Sequence, residues 1–156
     1  VMLKQKDRDS DAAQINHLKN LALDLNRSSQ CWIHGYVVCR ETEQEAKKYL
    51  NHYVIEKGDD VAVSNMLDIF GIESQTLDES VLNEFKFHFK AGHGGYPLVG
   101  TPDQIVSKMQ DLSSMGVDGI LLSWLDYIDE AHYWIENVLP RLEQAGLRDP
   151  FTPSLL

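Results

Sequence analysis

Apolar residues recur at three- and four-residue steps along much of this chain. Such spacing places apolar side chains on one face of a helix. The predicted helices cover residues 11–25, 40–57, 101–116 and 129–146. Thr42 and Thr101 each stand three residues before Glu45 or Gln104, which is the sequence pattern of a helix capping box. Pro140 predicts a kink or a break in the last helix, because proline has no backbone N–H to donate.

Three shorter stretches are rich in β-branched, aromatic or consecutive apolar residues, and they predict strands. They are CWIHGYVVC at 31–39, YPLVG at 96–100 and VDGILLSW at 117–124. The last stretch is apolar almost throughout, as expected of a strand that is covered on both faces. Strands that alternate with helices predict parallel β-α-β units, and therefore an α/β fold.

The segment at 58–92 is predicted to be a helical insertion between the first and second strands. Two stretches within it, DDVAVSNMLDIFGI and LDESVLNEFKFHF, have helical spacing. The overlapping stretch FKFHFK at 85–90 also alternates with period two, so a short strand is a second interpretation there. We favour a helix, because Leu82, Phe85 and Phe89 share one helical face.

Charge and cysteine content narrow the classes of function. The formal net charge of −10 argues against a nucleic acid or an anionic membrane as partner, because phosphate groups would be repelled. No apolar run approaches the roughly 20 residues of a membrane span, and the polar first residues do not form a signal peptide. Cys31 and Cys39 lie at opposite ends of a predicted strand, too far apart to form a disulfide. A reduced, cytoplasmic setting is therefore expected.

The number of predicted strands suggests that the fold is incomplete. The chain begins with Val1 instead of methionine, and three parallel strands would leave two open sheet edges. A complete (β/α)8 barrel takes about 250 residues. We therefore expect residues 1–156 to be the C-terminal β-α units of a TIM barrel that is not complete in this chain.

Three segments carry a resemblance to a known family. They are HGYVVCRETEQEA at 34–46, GGYPLVGTPDQIVSKMQDLSSMGVDGILLSW at 94–124 and VLPRLEQAGLR at 138–148. Together they resemble the bacterial luciferase-like flavin monooxygenases, which are TIM barrels that use reduced flavin and molecular oxygen. The nearest branch oxidises small sulfonates, sulfones and similar compounds with reduced FMN.

The resemblance implies reduced FMN as cofactor, O2 and a small organic substrate, with organosulfur compounds as candidates. It also implies a separate NAD(P)H:flavin reductase, and we expect a homo-oligomer. One alternative is a deazaflavin-dependent oxidoreductase of the same superfamily, which uses coenzyme F420 and transfers hydride without oxygen. Another alternative is a non-catalytic flavin-binding half-barrel that pairs with a second copy or with a partner chain.

Six side chains are candidates for the substrate or flavin pocket. They are His34, Tyr36, His93, Tyr96, Ser123 and Trp124. His34 and Tyr36 point to the same face of their strand, and family members place polar or cationic residues at the matching positions. A histidine there could stabilise an anionic group or transfer a proton, and Trp124 could stack on a ring. The competing interpretation is that these residues only pack and form hydrogen bonds in the core.

Three glycines, Gly92, Gly94 and Gly95, surround His93 in the stretch KAGHGGYPLVGTPDQ. We expect a flexible backbone here, because glycine allows many backbone conformations. A mobile segment of this kind is what an enzyme needs when water must be kept from a reactive intermediate in its site. The segment has no arginine where the resemblance to sulfonate-acting enzymes would place one. Either His93 replaces that arginine or the substrate is uncharged.

Other polar clusters are not assigned to chemistry. The carboxylates of RETEQEA and DYIDEA lie at predicted helix starts, where the helix dipole favours negative charge, so they are not taken as an acid/base pair. The six histidines lack the spacing of metal ligands, and no metal site is expected. No catalytic residue is assigned from the sequence.

Overall fold

The computed structural model describes residues 7–71 and 78–152. Its elements in chain order are α1 Arg8–Asp24, β1 Trp32–Cys39, α2 Glu43–Asn51, a π-helical turn at His52–Glu56, α3 Asp60–Ile69, α4 Glu79–Gly92, β2 Tyr96–Gly100, α5 Pro102–Ser114, β3 Gly119–Ser123, α6 Asp129–Asn137 and α7 Leu139–Gln144. The stretch FKFHFK lies in α4, so the choice of a helix there is confirmed. The polar link at 72–77 in the predicted insertion lies outside the described residues. No helix in the described ranges is long and apolar enough to cross a membrane.

Local sequence signals set the helix bounds. Both predicted capping boxes form, at the starts of α2 and α5. The first helix begins at Arg8, three residues earlier than predicted, because the side chain of Asp7 accepts a hydrogen bond from the backbone N–H of Ser10. The last predicted helix divides at Val138 into α6 and α7, as Pro140 predicts.

The three strands form one parallel sheet in the order β2-β1-β3. Units that are wound consecutively would place β2 between its neighbours, whereas here β1 is central. In β1, each residue from Gly35 to Cys39 is buried, so this strand has apolar surface for neighbours on both sides. The shorter β2 pairs with the carboxyl-terminal half of β1, and β3 pairs with the amino-terminal half.

Alternate residues of β1 contribute to cores on the two faces of the sheet. Val37 and Cys39 pack with residues of α5, α6 and α7 on one face. Tyr36 and Val38 pack with α2, the π-helical turn and α4 on the other face. A smaller cluster joins Ile33 at the start of β1 to α1 and to the end of α5. The sheet is therefore covered by helices on both faces of its central strand.

The third strand differs from the prediction. We expected β3 to be covered on both faces, but Leu121 in its centre is 67% exposed. The strand has five residues and lies at the edge of the sheet, where α4 does not cover it within the described residues. A continuous apolar run is thus not sufficient to predict double coverage when the strand is an edge strand.

The edge formed by β2 is blocked. The carbonyl of Gly100 accepts a hydrogen bond from Arg40 on the β1 side, so the carbonyls of Pro97 and Val99 point away from the sheet. The ammonium group of Lys108 on α5 donates to the Val99 carbonyl at 2.8 Å and lies 3.5 Å from that of Pro97. Because Pro97 also has no N–H, this edge has little left to offer another strand. The expectation of two open edges is therefore wrong for β2.

A buried ion pair connects the end of β1 to α6. The guanidinium of Arg40 donates to Glu130, N to O 2.8 Å, and Glu130 is only 6% exposed. The second carboxylate oxygen of Glu130 accepts the backbone N–H of Asp126 at 2.9 Å, and Arg40 lies 4.0 Å from the centre of the Tyr49 ring. A buried charge needs partners of this kind. The helix dipole alone therefore does not explain the acidic start of α6.

The blocked edge gives a testable prediction. Lys108→Met should leave the outward carbonyls of β2 without a donor, and the protein should self-associate more strongly at high concentration. Sedimentation velocity across a concentration series measures this. Lys48→Met, which removes an exposed charge from α2, is the matched control and should behave as the wild type. Equal sedimentation of the two variants would contradict the role given to Lys108.

Candidate functional site

A cavity of about 920 Å3 lies over the face of the sheet that carries His34 and Tyr36. Its walls come from β1, the residues that follow β3, the π-helical turn, α3 and α4. Cavities of 300–1,000 Å3 are typical of small-molecule sites. Among the predicted pocket residues, those that line it are His34, Tyr36, His93, Ser123 and Trp124, together with Gly92.

His34 and Ser123 form a hydrogen-bonded pair on neighbouring strands. The distance from His34 Nε2 to Ser123 Oγ is 2.9 Å, and parallel pairing of β1 with β3 brings the two side chains together. Burial lowers the pKa of His34, and the nearby imidazole of His93 lowers it further. The His34 ring is therefore neutral near pH 7, with one ring nitrogen able to accept a proton.

Tyr36 lies deeper in the same wall. It is 2% exposed, and its hydroxyl forms a 3.0 Å hydrogen bond with Nδ1 of His88 on α4. The hydroxyl of Tyr53, also on the cavity wall, donates to the carbonyl of Ala91 at 3.0 Å. Burial raises the pKa of both phenols, so both remain protonated near neutral pH. Each phenol thereby connects the site to α4.

The sequence interpretation missed His88 and Tyr53. His88 stands four residues before Gly92 and Tyr53 stands four after Tyr49, so each shares a helical or near-helical face with a residue of the cavity wall. That spacing was a usable signal for α4. For Tyr53 it was weaker, because the π-helical turn changes the direction of the side chains.

Two glycines of the stretch around His93 are required by close packing against β1. Gly92 is the last residue of α4, and a Cβ atom there would lie 2.4 Å from Cβ of Tyr36. A Cβ atom on Gly95 would lie 2.7 Å from Nδ1 of His34. Only glycine allows the end of α4 to approach β1 this closely. Gly94, with φ of 71°, and His93, with φ of 50°, make the turn that ends the helix. Flexibility of this segment stays a prediction.

Tyr96 is not at the cavity, which corrects its prediction as a pocket residue. It pairs with Gly35 in the sheet, and so its side chain points to the opposite face from His34 and Tyr36. There it packs against the two apolar clusters on that face. The strand pattern alone did not show this, because the register of β2 against β1 decides which face Tyr96 occupies.

Trp124 follows β3 and lines both the cavity and the adjoining core. Its ring packs edge-to-face with Tyr127 and Trp134, at centroid distances of 5.6 and 5.8 Å. The ammonium group of Lys90 on the cavity wall is paired with Asp60 at 2.7 Å. In the parts of the chain that the structure describes, no three histidine, cysteine, aspartate or glutamate side chains come together as metal ligands.

Comparison with known proteins relates this site to a class of enzymes. No family model matches the chain. It is 28% identical over 137 residues to an FMNH2-dependent dimethylsulfone monooxygenase of Pseudomonas fluorescens (strain Pf0-1), and the matched region covers 85% of this chain and 37% of the relative. It is 26% identical over 156 residues to a sulfoquinovose monooxygenase of Agrobacterium fabrum, and the matched region covers 91% of this chain and 40% of the relative. The chain is therefore similar to one region of each of these monooxygenases.

Solved structures agree on the fold. DmoA from Hyphomicrobium sulfonivorans matches with a TM-score of 0.72 and 16% identity over 94% of this chain and 37% of that one. A long-chain alkane monooxygenase, LadA, matches with a TM-score of 0.65 and 20% identity over the same shares. The fold is therefore part of a luciferase-like TIM barrel, and the resemblance found in the sequence is confirmed. The chain spans about two fifths of the length of the curated relatives it matches.

The contact between α4 and β1 predicts an unusual response to substitution. Gly92→Ala should destabilise the protein although alanine is the better helix former, because the new methyl group would overlap Tyr36. The expected loss is about 1–3 kcal/mol of unfolding free energy, measured by urea denaturation. Gly94→Asn is the control, since nothing lies within 4 Å of that position and asparagine tolerates a positive φ. A neutral Gly92→Ala would contradict the close packing.

The lowered pKa of His34 predicts a pH dependence of stability. The folded protein binds a proton at His34 less readily than the unfolded chain, so stability should fall as the pH drops below the usual histidine pKa of about 6.5. His34→Gln should reduce the difference in unfolding free energy between pH 7.5 and pH 5.5. His17→Gln, which removes an exposed histidine of α1, should keep the wild-type difference. If the difference is unchanged in His34→Gln, the burial of His34 does not cause the pH dependence of the unfolding free energy.

Proposed function

We propose that this chain functions in a monooxygenase that uses reduced FMN and O2 to oxidise a small organosulfur substrate. The observation that carries the proposal is the cavity, which combines aromatic walls with the His34–Ser123 pair on the strands of a partial luciferase-like barrel. One relative's name contains FMNH2, which supports the proposed cofactor. Both names contain monooxygenase, which supports the proposed type of reaction.

The residues of the cavity fit a planar, conjugated cofactor. Trp124, Tyr127 and Tyr49 offer aromatic surface, on which a ring system can stack or pack edge-to-face. The indole N–H of Trp124 is shielded from solvent and has no hydrogen-bond partner among the described residues. Reduced FMN, when bound, supplies the activation of dioxygen, and the protein supplies binding, orientation and the exclusion of water.

In this proposal His34 holds or moves a proton at Nε2. The ring is neutral near pH 7, and Ser123 keeps it oriented through the 2.9 Å hydrogen bond. Tyr36 closes the floor of the cavity and fixes α4 through His88. The helices of the insertion at 58–92 form the cover that excludes water, with His93 at its edge.

The proposal extends to partners. A separate NAD(P)H:flavin reductase would deliver the reduced FMN, and we propose a homo-oligomer as the working form. Sulfones such as dimethyl sulfone and sulfonates such as sulfoquinovose are the candidate substrates, because relatives carry these names. Placement in the cytoplasm, where reduced flavin is made, belongs to the same proposal.

The proposal is tested by isotope incorporation. The protein is mixed anaerobically with reduced FMN and dimethyl sulfone, then exposed to 18O2, and the product is analysed by mass spectrometry. One labelled oxygen atom per product molecule is expected. His34→Gln should lower kcat by about 100-fold if the residue moves a proton, and His17→Gln should leave kcat unchanged.

Two outcomes would contradict the proposal. Products without labelled oxygen would exclude a monooxygenase. Turnover with reduced coenzyme F420 and without oxygen would favour the deazaflavin-dependent alternative.

A further inference from the structure

The outer edge of β3 is free. Within residues 7–71 and 78–152 no strand pairs with this edge, whereas the other outer strand, β2, is blocked by Lys108 and Pro97. The backbone N–H and C=O groups of alternate β3 residues therefore point away from the sheet. A free edge of this kind is a template for pairing with another strand.

Large apolar side chains surround the free edge. Five residues on β3, beside it or directly after it are each more than half exposed: Trp32, Leu121, Leu125, Ile128 and Ile135. We call the free edge together with these five residues the β3 surface. Exposed apolar residues that are grouped in this way mark an interaction site more often than scattered ones do.

The β3 surface has an uncharged centre. The sequence from Gly119 to Leu125 is GILLSWL, in a chain with a net charge of −10. The carboxylate that precedes this stretch, Asp118, is paired with Lys19 at 2.7 Å. Two copies of this strand can therefore approach each other without placing like charges opposite one another, which would destabilise the pair.

The residue sizes along β3 suit pairing with an antiparallel copy of the same strand. Leu121 is the central residue of the five in this strand. If the pairing is centred on Leu121, the two small residues, Gly119 and Ser123, lie opposite each other. The two larger residues, Ile120 and Leu122, then also lie opposite each other. The strand is thus complementary to itself in this register.

The same pairing brings Trp32 of one copy to the cavity of the other. The Trp32 ring covers Gly119, because a Cβ atom built on Gly119 would lie 2.5 Å from Cδ2 of that ring. Ser123, at the other end of β3, lines the cavity and bonds His34. Antiparallel pairing places the start of one β3 beside the end of the other. The indole ring of the second copy therefore lies next to Ser123 and Leu125.

A second copy fits this edge better than further β-α units of a barrel. Closing a barrel requires strand pairing at both outer edges of the sheet. The outward carbonyl of Val99 in β2 already accepts from Lys108 at 2.8 Å, so that edge is not available. When one of the two outer strands is free, an isologous pair, in which the same surface of each copy meets, covers the free edges of both copies.

We propose that a second copy of this chain docks on the β3 surface, with the two β3 strands antiparallel about Leu121, and that Trp32 of each copy extends the cavity wall of the other beside Ser123. The inference rests on the homo-oligomer of the proposed function, to which it gives a surface and a symmetry. The pairing itself does not require turnover.

Sedimentation velocity across a concentration series tests the pairing. The wild type should show a single monomer–dimer equilibrium. Leu121→Asp should raise the dimer dissociation constant by about tenfold or more, because two carboxylates would lie opposite each other across the two-fold axis. Val61→Asp is the matched control, since Val61 is 71% exposed on α3, away from the β3 surface and the cavity walls. It adds the same charge and should dimerise as the wild type does.

A cysteine at the centre of the strand tests the register. Opposite residues of antiparallel strands have Cα atoms about 4.5–5.5 Å apart, which is within the range of a disulfide. Leu121→Cys should therefore form a covalently linked dimer under mild oxidation, detected by non-reducing gel electrophoresis. Val61→Cys should give no more linked dimer than the wild type.

The fluorescence of Trp32 tests its place in the dimer. Dilution below the dissociation constant should shift the tryptophan emission of the wild type to longer wavelength, because water then reaches the Trp32 ring, which is 60% exposed in the single chain. Trp32→Phe should lose this shift. A shift that persists in Trp32→Phe would overturn the placement of Trp32.

The outcomes separate this inference from the proposed function. A wild type that remains monomeric at all concentrations would overturn the inference, as would equal dimerisation of Leu121→Asp and Val61→Asp. Absence of a linked dimer in Leu121→Cys would overturn the register. A dimer that passes these tests but has no oxygen-dependent turnover would remove the proposed function and leave the inference standing.

Discussion

The structure depends on the burial of β1 on both of its faces. Tyr36 and Val38 belong to one core, and Val37 and Cys39 belong to the other, so one short run of five buried residues anchors the helices on both sides of the sheet. A strand buried in this way must be central and must pair on both edges. Its position as the middle strand, the pairing of β2 and β3, and the placement of the cavity all follow from this constraint.

The same constraint connects packing to the site. His34 and Tyr36 reach the cavity because they alternate with residues that fill the opposite core. Gly92 and Gly95 lie directly against them, so the distance between α4 and the sheet is set by backbone contact instead of by side chains. The hydrogen bonds of His34 with Ser123 and of Tyr36 with His88 then hold these side chains in place on the cavity wall.

Most of the local structure could be predicted from the sequence. Helical spacing, the two capping boxes and Pro140 located the helices, because these signals act within a few residues. Five of the six predicted pocket side chains meet at one cavity, since strand alternation and the positions after strand ends are also local properties. Tyr96 was misplaced because its face depends on the register between two strands, which lie about 60 residues apart in the sequence.

Contacts between distant residues were beyond the reach of the sequence pattern. The ion pair of Arg40 with Glu130 and the bond of Tyr36 with His88 each join side chains that come together only after the sheet has formed. Lys108 looked like an ordinary surface residue of a helix until the direction of the β2 carbonyls was known. That the indole N–H of Trp124 has no hydrogen-bond partner among the described residues is likewise visible only once its neighbours are in place.

The direct contact of α4 with the sheet has a mechanical consequence. No flexible side chain lies between Gly92 and Tyr36 to absorb a small movement of the helix. If α4 lifts to admit a ligand, the bond between Tyr36 and His88 must break and the surroundings of His34 must change in the same event. Because burial lowers the pKa of His34, such a movement of α4 would also change the protonation of that ring.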